Sequence, residues 1–516
     1  MFKVGIVTTY KGINYGTALQ SYSLNKIIID MGYDCEIIRY NKSTGLIKLL
    51  YLGMIYPKRI THYFRNYFVN EPKGRIKLFN DFIAKYINES KHSLTNILDY
   101  QHINDLYDVF VCGSDQIWAP TNFHKRYYLY FSDNSYKSVA YAPSVGILNI
   151  PRHIKSYMKL LLMRFKFLST REKQGSDIIR DFTGGLQIPV VLDPTLLVPK
   201  HHWESISKKS NIQGPYILSY FLGSNKKHRS LIDTYKSEHD IKNVVLPFNK
   251  DDYKWGDIVL SETGPLEYIG LIQNAQIVFT DSYHGLLFSI IFNKRFNVFL
   301  RFSHEHKLCQ NSRVVNILNI LGLNKRLVDD NASSINSVNE IDYDSVNIIL
   351  NNNIESSINY LKNSLECCIE NTKDTLNNIN IISKNDCTGC GVCRNICPKK
   401  CIDMESDHEG FIFPVVSQKQ CINCGKCVNY CPVHSSNRNT EIIGDNIPEI
   451  YSAWSKSSDV LLKSSSGGVF HSLAQYIVSN NGVVVGAAFQ PNMSLSHITI
   501  DDSIDIEKVQ GSKYLQ

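Results

Sequence analysis

Two cysteine runs, CTGCGVCRNICP at 387–398 and CINCGKCVNYCP at 421–432, constrain this 516-residue chain more than anything else in it. Each reads C-x2-C-x2-C-x3-C-P. At this spacing the first three thiolates wrap one face of a cubane cluster, and the fourth reaches across to the cluster of the other run. The pattern therefore predicts two 4Fe-4S clusters. Cys387, Cys390, Cys393 and Cys431 make the first ligand set; Cys421, Cys424, Cys427 and Cys397 make the second. Gly389, Gly391 and Gly425 let the backbone turn tightly and aim N–H groups at sulfur, while Pro398 and Pro432 stiffen the exits. Structural zinc also uses paired C-x2-C, but it does not require the third and fourth cysteines of each run.

The other six of the fourteen cysteines, Cys35, Cys112, Cys309, Cys367, Cys368 and Cys401, read as small buried side chains. Cys401 lies just past the first run and outside its pattern. Clustered cysteines of this kind are no disulfide framework and fit a reducing compartment. No apolar run reaches the roughly 18 residues a membrane span needs. The longest, Leu46 to Tyr56, is interrupted by Lys48, and the opening MFKVGIVTTY is a strand pattern and not a signal peptide. The expected location is cytoplasmic. A net charge of +7, spread over the whole length, predicts no nucleic-acid partner.

A chain this long predicts about three units. Residues 1 to about 330 alternate strand and helix patterns, the mark of an α/β fold. Val4–Thr8, Val109–Cys112, Tyr216–Leu222, Val244–Phe248, Ile277–Thr280 and Phe296–Leu300 read as strands. A helix with Leu24, Ile27, Ile28 and Met31 on one face ends at Gly32; Ile154–Phe182, Gly264–Ala275 and Gly285–Phe292 also read as helical. An insertion-like stretch at 44–86 mixes aromatics with Lys and Arg, as surface helices with a basic outer face or as a contact for an anionic membrane surface. Val346, Ile349, Ile354, Ile358, Leu361 and Leu365 fit a helix packed back on the preceding domain. Asn371–Asn385 and Asn437–Glu449 read as polar linkers.

Five phrases resemble the polysaccharide pyruvyl transferase family: NYGTALQSYSL (14–24), VFVCGSDQIW (109–118), STREKQG (169–175), VLDPTLL (191–197) and FTDSYHGLLFSIIF (279–292). The resemblance covers about residues 1–365. It implies two Rossmann-like lobes facing a cleft, as in GT-B glycosyltransferases, at about 1–200 and 210–330 with a C-terminal helix. It also implies transfer of a pyruvyl group from phosphoenolpyruvate, or a related anionic donor, onto sugar hydroxyls as a ketal. The candidate site residues sit at strand-to-helix junctions. Asn14 and Gly16 offer an anion site at a helix start, or simple turn residues. Ser114 and Asp115 end another strand, where Asp115 could equally be a helix cap. Asp281 and Ser282 precede His284, the expected general acid or donor contact, with a capping or core histidine as the other reading. Arg171 could hold a phosphate or carboxylate, or form a structural salt bridge. Asp193-Pro194 reads as a structural turn after a strand. Better-characterised family members read R-x-H where this chain has Ser282, so Arg313 or Arg171 is the candidate replacement cation.

The cysteine segment, 386–434, resembles the 4Fe-4S dicluster ferredoxin family, which implies single-electron transfer between redox partners. Residues 454–489 and VQGSKYLQ (509–516) resemble the start of the coenzyme F-420 hydrogenase/dehydrogenase β-subunit family. The serines and glycines at 464–468 read as a phosphate-facing turn or an N-cap, before a helix with Val469, Phe470, Leu473 and Ile477 on one face. Because the sequence stops inside GSKYLQ, residues 450–516 are expected to be an incomplete α/β stub of a longer fusion, with flavin only in a full-length form. Three readings follow. The first is a pyruvyl-transferase-like enzyme fused to an iron–sulfur module in cell-surface or exopolysaccharide synthesis. The second is an electron-transfer protein whose α/β region binds an acceptor or partner. The third is a non-functional truncated product.

Overall fold

The computed structural model describes residues 2–40, 72–94, 97–132, 135–147, 150–302, 310–329, 331–335, 340–374, 378–384, 386–417, 420–421, 424–434 and 451–513. Residues 44–71 of the basic aromatic stretch and the linker expected at 437–449 lie outside them. The chain divides into two compact units, Met1–Lys373 and Asp374–Gln516.

The first unit holds two parallel sheets. The first sheet contains β1 (Lys3–Val7), β2 (Asp34–Arg39), β3 (Glu89–Ser93), β4 (Val109–Cys112) and β5 (Ser138–Ala140), in the order β3-β2-β1-β4-β5. Helices α1 (Tyr15–Asp30), α2 (Lys73–Tyr86) and α3 (Ile97–Leu106) connect its strands, and α4 (Arg152–Leu162), α5 (Lys173–Thr183), α6 (Pro194–Leu197) and α7 (Lys200–Ile206) follow. The second sheet contains β6 (Tyr216–Tyr220), β7 (Lys242–Leu246), β8 (Ile258–Val259), β9 (Ile277–Thr280), β10 (Arg295–Phe299) and β11 (Leu327–Val328), in the order β11-β10-β9-β6-β7-β8. Its helices are α8 (Lys226–His239), α9 (Pro265–Asn274), α10 (Tyr283–Ile291) and α11 (Ser312–Leu321). Parallel strands covered on both faces need continuous apolar runs, and VFVC of β4 and IVFT of β9 are buried throughout. These are the two Rossmann-like lobes of the GT-B arrangement.

In each sheet the strand order reverses once, between β1 and β4 and between β6 and β9. Crevices at the carboxyl ends of such strands are where open α/β sheets bind ligands. The two lobes share one continuous apolar core. Tyr15 of α1 stacks on Tyr268 of α9 at 4.3 Å and donates its hydroxyl to Thr263 O. Arg75 of α2 donates to Ser261 O and Pro247 O across the seam. Helix α12 (Tyr343–Asp374) spans both lobes: its Tyr343 hydroxyl bonds Lys294 O of the second, and its Tyr360 hydroxyl bonds Ala140 O of the first. Val346, Leu361 and Leu365 are buried as expected, whereas Ile349 is exposed.

Three elements differ from the sequence reading. The helix expected over 154–182 is two helices, because bridges from Phe167 to Val139 and from Thr170 to Val190 hold the segment between them extended. The linker expected at 371–385 is shorter, because α12 runs to Asp374 and Ile379 is buried in the core of the cysteine segment. The third difference lies in the last part of the second unit.

In that unit, α13 (Val392–Ile396), the antiparallel pair β12 (Ile402–Ser406) and β13 (Ile412–Val416), and α14 (Lys426–Asn429) form the cysteine segment. Gly391 and Gly425 cap the two helices in the left-handed region, both at φ 71°, where glycine adds no Cβ strain. Beyond them comes α15 (Ser458–Leu462), which buries no residue, and then α16 (Val469–Ser479), the antiparallel pair β14 (Val484–Phe489) and β15 (Leu495–Ile500), and α17 (Ile506–Val509), which build a small core. Ala474 and Val478 of α16 face that core, while Val469, Phe470, Leu473 and Ile477 are exposed. The α16 N-cap is Gly468 at φ 74°, with no side-chain cap bond, so none of the preceding serines fills that role.

Candidate functional site

At the β1/β4 reversal, Asn14 caps α1 by accepting the Thr17 N–H at 3.1 Å. Two residues on, Gly16 lies so close to His284 of the second lobe that an added Cβ would stand 1.9 Å from its Nδ1. Only a residue without a side chain admits the imidazole there. Ser114 is buried and donates its hydroxyl to Ala142 O at 2.9 Å. Asp115, at φ 70°, caps no helix; it accepts from Thr17 Oγ1 at 2.9 Å and faces Arg171.

Behind this rim runs a row of charges. Asp115 Oδ1 lies 3.6 Å from Arg171 Nη2, Arg171 Nη1 lies 2.5 Å from Asp193 Oδ2, and the same oxygen lies 3.5 Å from His284 Nε2. The Arg171 and Asp193 side chains are 0% exposed, and His284 is 9% exposed. Burial alone would raise the Asp115 carboxyl; Arg171, then His284 and the Thr17 bond, hold it below the usual carboxylate range. At Asp193 the same competition ends further down, with His284 and Arg171 outweighing burial. Asp193 also caps α6, accepting from Thr195 N and Oγ1. Thus the residue read as a structural turn holds a helix end, a guanidinium and an imidazole together. Arg171 takes its salt-bridge reading: its fork engages protein carboxylates and reaches no solvent.

At the β6/β9 reversal, Asp281 accepts from Leu222 N at 2.7 Å and Gly223 N at 2.8 Å, and Arg301 Nε lies 3.7 Å away. Both its oxygens are engaged by the fold. Ser282 caps α10, accepting the Gly285 N–H at 3.3 Å. Tyr283, beside it, is flanked by two guanidinium groups, Arg171 at 4.7 Å and Arg313 at 5.4 Å from the ring centroid. Burial, then repulsion from Arg171, pushes Arg313 down to about 10, and its Nε has no hydrogen-bond partner. Two cations supplied from other elements therefore flank Tyr283, the residue between Ser282 and His284.

The cysteines border two cavities. Cys387, Cys390, Cys393 and Cys431 line one, with Ile379, Ile382 and Met404. Cys397, Cys421, Cys424 and Cys427 line the other, which Cys401 also borders. Each cavity draws one cysteine from the opposite run. Among the described residues, no three His, Cys, Asp or Glu side chains converge on a single ion's position. Four thiols around a cavity are the donor set a cubane cluster takes, so the residues fit that group.

Sequence reasoning passed over Thr17 and Tyr283 and read Asp193 as a structural turn alone. Asp193 had left a trace: it is the one charge in VVLDPTLLV, and a charge inside an apolar run must find a partner when buried.

A family model described as polysaccharide pyruvyl transferase matches residues 14–301, and one described as 4Fe-4S dicluster domain matches residues 386–435. No curated protein matches the chain. Among solved structures, Neisseria meningitidis UDP-GlcNAc 2-epimerase bound to UDP-GlcNAc is similar at TM-score 0.37 and 8% identity, over 72% of this chain and 97% of that one. The S. aureus MnaA–UDP structure is similar at TM-score 0.39 and 11% identity, over 72% and 91%. Acinetobacter baumannii MurG is similar at TM-score 0.33 and 8% identity, over 72% and 95%. At such values the likeness adds nothing to the two parallel sheets themselves.

Proposed function

Since this chain belongs to the polysaccharide pyruvyl transferase family, we propose that its first unit moves a pyruvyl group from phosphoenolpyruvate, or a closely related anionic enol phosphate, onto two hydroxyls of a sugar. The observation that carries this reading is the Asp193–His284 pair, 3.5 Å apart and shielded from water between the lobes. Asp193 orients the imidazole. His284 gives a proton to the methylene carbon of the donor, which becomes the methyl group. The first sugar hydroxyl bonds to the adjoining carbon. The carbon–oxygen bond to phosphate breaks, and the second hydroxyl closes the ketal. Of the two hydroxyl protons released, one restores His284 and one leaves with phosphate. Arg313, with its unpartnered Nε, supplies charge for the donor's anionic groups, and Arg171 holds Asp193 and Asp115 in place.

The second unit holds two 4Fe-4S clusters on this reading, one in each cysteine-lined cavity. Such clusters supply single-electron transfer when bound. The electron partner would be a redox protein or a flavin domain, in keeping with the resemblance of residues 450–516 to the F-420 dehydrogenase β subunit. The setting proposed is cytoplasmic synthesis of a cell-surface polysaccharide; among the described residues no helix is long and apolar enough to cross a membrane.

The test is release of phosphate from phosphoenolpyruvate in the presence of a panel of nucleotide- and lipid-linked sugars, with the ketal identified by mass. His284→Asn is expected to lower kcat by about 10²–10⁴-fold. A variant within a few-fold of wild type overturns the acid role. No turnover with any sugar favours an α/β region that binds without transferring.

A further inference from the structure

The two cysteine-lined cavities are not equivalent. The first is bordered by four cysteines and the second by five, the extra one being Cys401. Cys401 follows Cys397 by four residues, and a tight turn brings it back. Lys400 donates its N–H to Cys397 O at 3.1 Å and adopts φ 49°, in the left-handed region. The Cys401 carbonyl is fixed in turn by the Ser417 N–H at 2.8 Å. The result is a buried thiol whose Sγ stands 3.4 Å from Cys397 Sγ at the edge of the same cavity. A small apolar residue would fill this part of the core equally well. A second thiol within van der Waals contact of a ligand thiol does something an alanine cannot.

We infer that Cys401 is a reserve ligand of the second cluster site, able to take the coordination position of Cys397 when that residue is lost or chemically blocked. The inference rests on the reading of this cavity as a four-iron site. With Cys397 absent or capped, Cys401 Sγ would bond the iron that Cys397 no longer holds; the Cys401 thiol proton would be released to solvent, and no electron would change hands. The two sulfur atoms start close enough for the swap to need only side-chain rotation and a small shift of the Pro398–Lys400 turn. Among the described residues lining the first cavity, every cysteine belongs to the four-cysteine ligand set.

The experiment compares the full chain with Cys397→Ala, Cys401→Ala, the double variant and Cys431→Ala, all purified anaerobically. Iron and sulfide per chain are counted, and EPR spectra of the reduced proteins are recorded. Wild type and both single variants at the second site are expected to hold about eight iron, as two four-iron clusters require. The double variant and Cys431→Ala are each expected to lose about one to four iron, the range from a three-iron remnant to complete loss. Cys397→Ala should also show an altered EPR line shape from the site whose ligand has moved. If Cys397→Ala loses as much iron as the double variant, Cys401 is no ligand and the inference falls. If Cys431→Ala keeps its full iron, retention needs no spare thiol, and the inference falls as well. A wild-type chain without iron overturns the four-iron reading beneath it.

Discussion

Replacing Arg171 by methionine tests the charge row at its centre. The apolar stem is kept and the guanidinium is removed, which strands Asp193, fully buried, and Asp115, 16% exposed. Removing one partner of a buried ion pair typically costs about 3–5 kcal/mol, because the other charge stays desolvated. For a unit the length of Met1–Lys373, an unfolding entropy of about 2.1 cal/mol/K per residue makes this a fall of about 4–6 °C in Tm. The pH dependence is the sharper signature. In the wild type both carboxyls are held below their ordinary values. The stability they contribute is therefore complete above the unfolded carboxylate range, near pH 4, and is lost as pH falls through the folded values. In the variant the burial remains and Arg171, the largest compensating charge at Asp115 and the next after His284 at Asp193, is gone, so the carboxyls rise. Their penalty is greatest at neutral pH and fades as acid neutralises them. The gap between wild type and variant should thus narrow steadily from about pH 7 towards about pH 4. Thermal unfolding followed through Trp118 and Trp203, both buried in this unit, reads it directly. An equal gap at both pH values, or no gap at all, would refute the reasoning.

Gly16→Ala should push the His284 ring aside, since the new methyl would stand 1.9 Å from Nδ1; overpacking of this kind costs about 1–3 kcal/mol, and the transfer rate should fall with it, as thermal unfolding and phosphate release would show. Arg75→Met leaves Pro247 O and Ser261 O without their donor at the lobe seam, and a loss of about 1–3 kcal/mol should appear as a lower urea midpoint at an unchanged slope.

The cysteine runs were legible because ligation of a cubane cluster dictates local spacing, and local spacing is what a sequence displays. The strands were legible for a related reason: a parallel strand covered on both faces must be apolar along its length, as VFVC and IVFT are. The stretch from Ile154 to Phe182 misled because its helical pattern continues through residues that tertiary bridges to Val139 and Val190 hold extended. On α16 the periodicity was sound, but the face with the larger side chains is exposed and Ala474 and Val478 point inward. The charge row was illegible for a deeper reason. Asp115, Arg171, Asp193 and His284 come from four separate segments, and nothing within any one of them says that the carboxylate of Asp193 meets a guanidinium and an imidazole at once. Gly16 shows the same limit: its position before a helix suggested an anion, and the structure fills its open face with an imidazole.

The seam between the lobes passes through the middle of that row. Gly16, Arg171 and Asp193 belong to the first lobe and His284 to the second. The 3.5 Å Asp193–His284 pairing is therefore a property of the packed lobes and of neither lobe alone: its length depends on the Tyr15–Tyr268 stack and the Arg75 bonds that hold the two sheets together.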